Sequence, residues 1–135
     1  MTTEICEYNN KIYGYVIRAN ENPESTKFYT DKDLDIQMGL VCHKANYIEP
    51  AHIHKKWDRV INETTEVLHV IDGKCRINFF EEDPNFAIGS VLLEEGDSIL
   101  LMGSTGHNLE TLTKFKGFKA KQGPYVSLKE DKVIL

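Results

Sequence analysis

His52 and His54 stand two residues apart after Pro50, and they are the residues of this sequence best suited to metal chemistry. In a β-strand, side chains at positions i and i+2 point to the same face, so the two imidazoles would converge. Two imidazoles with one carboxylate and open positions hold Fe(II) and other divalent first-row metals. Glu66 is the best candidate carboxylate because it opens a strand-like apolar run, and His107 could supply a third imidazole after a glycine-bracketed turn. The predicted metal ligands are therefore His52, His54, Glu66 and His107.

The elements that would position these ligands are short β-strands. Runs rich in Val, Ile, Leu, Tyr and Phe recur between Gly, Asn, Asp and Pro residues, which is typical of many strands joined by turns. Asp72-Gly73 lies between two such runs and predicts a type I′ hairpin turn. This spacing of strands and turns favours an all-β sandwich, jelly roll or small barrel. Strands are predicted at residues 12–18, 34–43, 51–54, 66–71, 74–80, 90–94, 98–102, 107–112 and 117–121.

Composition narrows the class of protein. The 135 residues suit one domain, and 16 Lys and Arg against 21 Asp and Glu give a net charge of −5. This charge disfavours a general nucleic-acid binder or a membrane-surface binder. The sequence has neither a membrane-length apolar run nor a leader, and its three cysteines form no CxxC pair, so a cytoplasmic protein with reduced thiols is expected. Motifs of nucleophile-elbow hydrolases, phosphate loops and dinucleotide-binding folds are absent from the sequence.

The arrangement of the first predicted ligands resembles the first motif of the cupin superfamily. That motif is a His-x-His, then a Glu, then six residues and a Gly, and His52, His54, Glu66 and Gly73 stand in this order with the six-residue spacing intact. The chain departs from the family in the gap between His54 and Glu66, which is eleven residues instead of the usual few. A longer loop, residues 55–65, would bulge at the mouth of the barrel.

The second cupin motif is a Gly, five residues, a Pro, then a short turn and a His. Gly96 and His107 match it, and Asp97 follows Gly96 as is common in the family. Met102 replaces the Pro, and Thr111 stands where an Asn is often found. Because the turn before His107 is already rich in glycine, the loss of the Pro is tolerable.

The resemblance implies a single cupin domain over residues 1–135, folded as a double-stranded β-helix or jelly-roll barrel with its core over about residues 34–121. It also implies a divalent metal (Fe, Mn, Ni or Zn) and no other cofactor. Activities of similar cupins include isomerisation through an enediolate and dioxygenation of a chelating substrate. Small single-domain cupins of this kind resemble proteins of sugar and polysaccharide metabolism, so the expected ligand is a small polar, sugar-derived molecule. No residue is assigned a catalytic role.

Two other functions stay open for the same barrel. One is a non-catalytic module that binds a small molecule or a metal. It is suggested by the lack of any further carboxylate or histidine that the sequence requires in the pocket beside the four ligands. The other is a metal-free sugar-nucleotide isomerase that resembles cupin epimerases and uses a His as base with a Tyr as acid. Retention of metal by the purified protein would argue against the second.

Other polar residues near the motifs have simpler interpretations. Asp58 could replace Glu66 as the carboxylate ligand if the loop folded inward, although loop residues are held less closely than strand residues. His69 and Glu110 lie three residues from Glu66 and His107, so on regular strands they face away from the ligands. His43 has no partner in the sequence pattern and is interpreted as structural.

The resemblance also implies a homodimer, because cupins generally pair through an exposed sheet edge and outer face. Val67, His69 and Ile71 are the candidate outward-facing interface residues. The predicted partners are a small-molecule ligand and a second copy of the chain, with neither nucleic acid nor membrane.

Overall fold

The structure, a computed structural model, describes residues 4–124, 127, 129 and 132–135. Antiparallel β-strands dominate these residues, so the all-β prediction is confirmed. A helix long and apolar enough to cross a membrane is not found in the described part of the chain. The strands are β1 (Glu4–Tyr8), β2 (Lys11–Ile17), β3 (Lys27–Phe28), β4 (Gly39–Leu40), β5 (Glu66–Asp72), β6 (Cys75–Phe80), β7 (Gly89–Leu93), β8 (Ser98–Leu101), β9 (Gly106–Thr111) and β10 (Lys116–Lys121).

Two larger sheets form the body of the protein. The first has five strands in the order β1-β2-β8-β5-β10, and the second has three in the order β7-β6-β9. A separate two-stranded sheet joins β3 to β4. Within the described residues, β10 and β9 each end a sheet with one edge unpaired, and the two larger sheets do not close into a barrel. The expected jelly-roll barrel is therefore not confirmed beyond its all-β, antiparallel character.

A shared apolar core holds the two larger sheets together. Leu68 and Ile99 from the first sheet pack with Ile77, Phe79 and Leu93 from the second, and all five are almost fully buried. Burial of one such side chain stabilises the folded state by about 1.5–3 kcal/mol. Because Leu68 of β5 packs with Ile77 and Phe79 of β6, this core holds β5 near β6 and its ladder partner β9.

The outer face of the five-stranded sheet is covered as well. Tyr15 of β2 and Leu100 of β8 pack with Tyr29 and Met38, which come from the segment around β3 and β4. β2 and β8 therefore bury both of their faces, which explains why each contains a continuous apolar run. Val67 packs against the same cluster, so this expected dimer-interface residue is partly covered by its own chain.

Arg18, just after β2, ties together three parts of the first sheet. Its guanidinium donates two hydrogen bonds of 2.8 Å to the Glu4 carboxylate and one of 3.0 Å to Asp97 Oδ2. It also donates to Leu92 O at 2.7 Å. Asp97 is buried and accepts a further hydrogen bond of 2.8 Å from Ala19 N. Asp97, noted in the sequence for its place after Gly96, therefore has a structural role in this network.

Two of the predicted strands are wrong or much shorter than expected. Of residues 34–43, only Gly39 and Leu40 form a strand, because the segment begins with a turn in which Leu34 N donates to Asp31 O at 3.1 Å. The predicted strand at 51–54 does not form. Residue 50 is a proline, which has no N–H to donate to a ladder. In addition, no neighbouring strand among the described residues pairs with residues 51–54, and an unpaired strand is not stable on its own.

The turn at Asp72-Gly73 differs from the predicted hairpin. It connects β5 to β6, which belong to different sheets and do not pair with each other. Gly73 has a φ of +87°, but Asp72 is not among the residues of positive φ, so the turn is not type I′. Asn9 and Asn10 supply such a turn instead, with φ values of 52° and 61°, and join the paired strands β1 and β2.

Candidate functional site

A cleft of about 770 Å³ opens between the two larger sheets. Side chains of β5 and β10 line it from one sheet, and side chains of β6 and β9 line it from the other. The unpaired edges of β9 and β10 belong to these lining strands. The C-terminal residues 132–135 also contact the cleft. Its charged lining residues are Glu66, Glu81, Lys119, Lys121 and Lys132, with His107 beside them.

Glu66 and His107, two of the predicted ligands, meet in this cleft. Glu66 is the first residue of β5, and His107 is the second residue of β9 in the facing sheet. The distance between His107 Nε2 and Glu66 Oε1 is 3.3 Å, and the two side chains are 27% and 11% exposed. His107 lies directly opposite the buried Phe79 in the β6–β9 ladder, so its ring points inward. The sequence therefore identified two residues that the fold places together.

Lys119 is a third charged member of this site, and no sequence motif pointed to it. Its Nζ lies 3.4 Å from Glu66 Oε1. β10 pairs antiparallel with β5 so that Lys121 is opposite Glu66, which places Lys119 on the same face as its diagonal neighbour. The signal available in the sequence was the alternation Gly117, Lys119, Lys121. On its own, that pattern is equally typical of a solvated edge strand.

The surroundings of Glu66 keep its carboxylate ionised. The hydrogen bond from His107, opposed by burial and aided by the positive charge of Lys119, lowers the pKa of Glu66 from 4.5 to about 2. On the other side of the imidazole, His107 Nδ1 is buried and has no hydrogen-bond partner among the described residues. The site thus combines a permanent negative charge with an imidazole whose hydrogen bonding is incomplete.

The spacing of these two side chains fits a metal ion. Donor atoms that are each about 2.1 Å from one metal lie about 3.0 Å apart at a right angle and about 3.4 Å apart in a tetrahedron. The 3.3 Å between His107 Nε2 and Glu66 Oε1 falls in this range. One carboxylate and one imidazole suit zinc, iron, manganese or nickel. Glu66 and His107 could therefore supply two of the four predicted metal ligands.

His52 and His54 lie elsewhere, in an exposed segment of residues 41–62 that we call the histidine loop. Their rings are close to each other, with centroids 5.1 Å apart. His52 Nδ1 lies 2.8 Å from Pro50 O and 3.2 Å from Glu49 Oε1. The four predicted ligands thus form two separate pairs. Accordingly, no group of three or more metal-binding side chains is found among the described residues.

The remaining candidates lie outside the cleft. Asp58, the alternative carboxylate, is exposed in the histidine loop. His69 Nδ1 is 2.8 Å from Ser98 Oγ on β8. His43 stacks on a neighbouring tyrosine ring at 4.0 Å, and Glu110 pairs with an arginine on the adjacent strand at 3.2 Å. None of these four residues lines the cleft.

Comparisons of this chain with family models, with curated proteins and with solved structures give no match. A proposal for the function of this protein therefore rests on the geometry of the cleft and on the sequence motifs.

Proposed function

We propose that this protein is a cupin-like metalloprotein that binds a divalent metal through His52, His54, Glu66 and His107 and acts on a small polar molecule. The observation that carries the proposal is the pair formed by Glu66 and His107. These residues come from facing sheets, lie at ligand spacing, and include a carboxylate that is ionised at neutral pH. A divalent ion bound there would polarise a carbonyl or hydroxyl group of the substrate. Sugar-derived substrates, and isomerisation or dioxygenation as the reaction, follow from the family resemblance.

The histidine loop has the composition of a segment that packs against protein. Ile53 is 93% exposed and Trp57 is 71% exposed, although both are large apolar side chains. Other large apolar residues of the loop that are more than half exposed are Val41, Tyr47, Ile48, Val60 and Ile61. So many exposed apolar residues in one segment mark an interaction surface. We infer that this loop packs over the cleft when the metal is bound.

The fold offers a place for the histidine loop to dock. The unpaired edges of β9 and β10 flank the cleft, and an unpaired edge accepts a further strand. The end of the loop is already close, because Thr64 lines the cleft just before β5 begins. The eleven residues between His54 and Glu66 can extend over roughly 36 Å at about 3.3 Å per residue. His52 and His54 are therefore within reach of the pair formed by Glu66 and His107.

The geometry supports the metal-dependent function better than the metal-free isomerase. A catalytic base must present a free ring nitrogen to its substrate. His107 Nε2 faces Glu66, and its Nδ1 is buried, so neither nitrogen is open to the cleft in this conformation. A metal ion would displace the proton between His107 Nε2 and Glu66 Oε1 and would use both groups of the pair as ligands.

Elemental analysis of the untagged protein tests the proposal. We expect near-stoichiometric metal in the wild-type protein and its loss in a variant carrying both His52→Ala and His54→Ala. Glu66→Ala and His107→Ala should each weaken retention, whereas Asp58→Ala should retain metal as the wild type does. Loss of metal in Asp58→Ala together with retention in Glu66→Ala would move the carboxylate ligand into the loop. No metal in any of these proteins, even after anaerobic reconstitution, would overturn the proposal.

Trp57 provides a separate readout of loop docking, because it is the only tryptophan in the chain. In the open conformation Trp57 is mostly in water. Addition of zinc to the metal-free protein should shift its fluorescence to shorter wavelength as the indole is buried. The variant with both histidines replaced serves as the control and should show no shift. Stoichiometric zinc binding without any change in emission would contradict docking of the loop.

A further inference from the structure

Lys119 lies beside the predicted metal ligand in a way that the proposed function leaves unexplained. Its Nζ is 3.4 Å from Glu66 Oε1, the same oxygen that faces His107 Nε2 at 3.3 Å. The Lys119 ammonium group therefore lies beside the carboxylate oxygen that would bind the metal ion. The Lys119 side chain is 50% exposed, so the ammonium group can leave Glu66 and still remain in the cleft.

We propose that Lys119 has two states: it neutralises Glu66 in the metal-free protein, and it binds an anionic group of the substrate once a metal is bound. The substrate class would be a small molecule that carries a carboxylate or a phosphate. This inference rests on the proposed function, because it requires Glu66 to be a metal ligand. Its physical basis is that two cations repel each other when they share one carboxylate oxygen.

The charge of the cleft supports an anionic substrate. Among the described residues that line it, three are lysines, Lys119, Lys121 and Lys132, and two have acidic side chains, Glu66 and Glu81. Lys119 and Lys121 alternate on β10 and therefore share the face turned to the cleft. A lysine that faces a concave site can bind an anionic group of a ligand there.

The first test is the zinc affinity of Lys119→Gln, measured by competition with a chelator. If Lys119 competes with zinc for Glu66, its removal should tighten zinc binding by about fivefold, the upper range for an exposed ion pair. The matched control is Lys116→Gln, which removes the same charge from the same strand at an exposed position outside the cleft. Its zinc affinity should stay within twofold of the wild type. A site that was merely damaged by the substitution would bind zinc more weakly, so the direction of the change is diagnostic.

The second test measures anion binding with acetate and with inorganic phosphate as probes, by NMR titration of the zinc-loaded protein. Lys119→Gln should weaken binding of the preferred anion at least fivefold, Lys119→Arg should restore it, and Lys116→Gln should leave it unchanged. Stronger binding of acetate would identify a carboxylate substrate, and stronger binding of phosphate would identify a phosphorylated one. In the absence of zinc, wild type and Lys119→Gln should bind the anion equally weakly, because Glu66 holds the ammonium group.

The outcomes separate this inference from the proposed function. Equal zinc affinity in the wild type and in Lys119→Gln would overturn the inference while leaving the metal site intact. The inference would also be overturned if zinc-loaded wild type and zinc-loaded Lys119→Gln bound acetate with the same affinity and phosphate with the same affinity. Failure of the wild type to bind zinc at all would overturn the proposed function first.

Discussion

Replacement of Glu66 by Gln should remove a pH-dependent part of the stability of the metal-free protein. Gln mimics the protonated carboxyl group in shape, and it loses the negative charge that His107 and Lys119 stabilise. A pKa lowered from 4.5 to about 2 corresponds to roughly 3 kcal/mol of stabilisation at neutral pH. Glu66 is only 11% exposed, but His107 and Lys119 are 27% and 50% exposed, so solvent screens part of the interaction and this value is an upper limit. We therefore expect Glu66→Gln to be less stable than the wild type by up to about 3 kcal/mol at pH 7.

The sign of the pH dependence follows from the direction of the shift. Because the folded-state pKa of Glu66 lies below the unfolded value, the stabilisation is fully present above about pH 4.5 and is lost as the pH falls towards 2. At pH 3 only about 1.4 kcal/mol of it should remain. The difference in unfolding free energy between wild type and variant should thus roughly halve between pH 7 and pH 3.

Urea unfolding at pH 7, 5, 4 and 3, in the presence of a chelator, measures this difference. Glu110→Gln is the matched control, because Glu110 also accepts a hydrogen bond from a basic side chain but is exposed at the edge of its sheet. The control should cost under about 1 kcal/mol, as is usual for exposed ion pairs. A difference between wild type and Glu66→Gln that stayed constant from pH 7 to pH 3 would refute the electrostatic account of the site.

Two further predictions concern the frame that holds the site. Arg18→Met should lower the unfolding free energy by about 3 kcal/mol, because it leaves the buried carboxylate of Asp97 without its cationic partner; thermal unfolding checks this, and a loss below 1 kcal/mol would show that the backbone donors to Asp97 suffice. Gly73→Ala should destabilise by at least 1 kcal/mol, since Gly73 has a φ of +87° and an added Cβ would meet the carbonyl oxygen of Lys114. Urea unfolding of this variant beside Gly89→Ala, a glycine without positive φ whose added Cβ would meet the ring of Tyr8, separates backbone strain from steric overlap. Equal destabilisation of the two variants would assign the Gly73 effect to overlap.

The sequence predicted most strands of the two larger sheets because their apolar runs end at recognisable turns. β5 and β8 are examples, bounded by Gly73 and Gly96. β1 was not predicted, since glutamates occupy two of its five positions and its only fully buried residue is Cys6. The pairing across Asp72-Gly73 was wrong because a positive φ is needed equally by a hairpin and by a turn that crosses between sheets.

The candidate site could be predicted only in the parts that strand order determines. Glu66 and His107 each stand at or near the start of a predicted strand, and the fold brings these two strand starts together across the cleft. Lys119 enters the site through the register between β10 and β5, which no local pattern specifies. His52 and His54 share a face only if a neighbouring strand holds residues 51–54 extended, and the i, i+2 rule cannot supply that neighbour.

The burial of both faces of β2 has a consequence for how the chain emerges during synthesis. β2 ends at Ile17, and its second neighbour, β8, ends at Leu101, eighty-four residues later. At about 5–20 residues per second, the ribosome needs roughly 4–17 s to make that stretch. Throughout this interval the β1–β2 hairpin lacks β8, its second ladder partner, and an isolated hairpin is marginal in water. Nascent chains shorter than about one hundred residues therefore leave the β8-facing edge of β2 unpaired, and an unpaired edge can accept a strand from another chain.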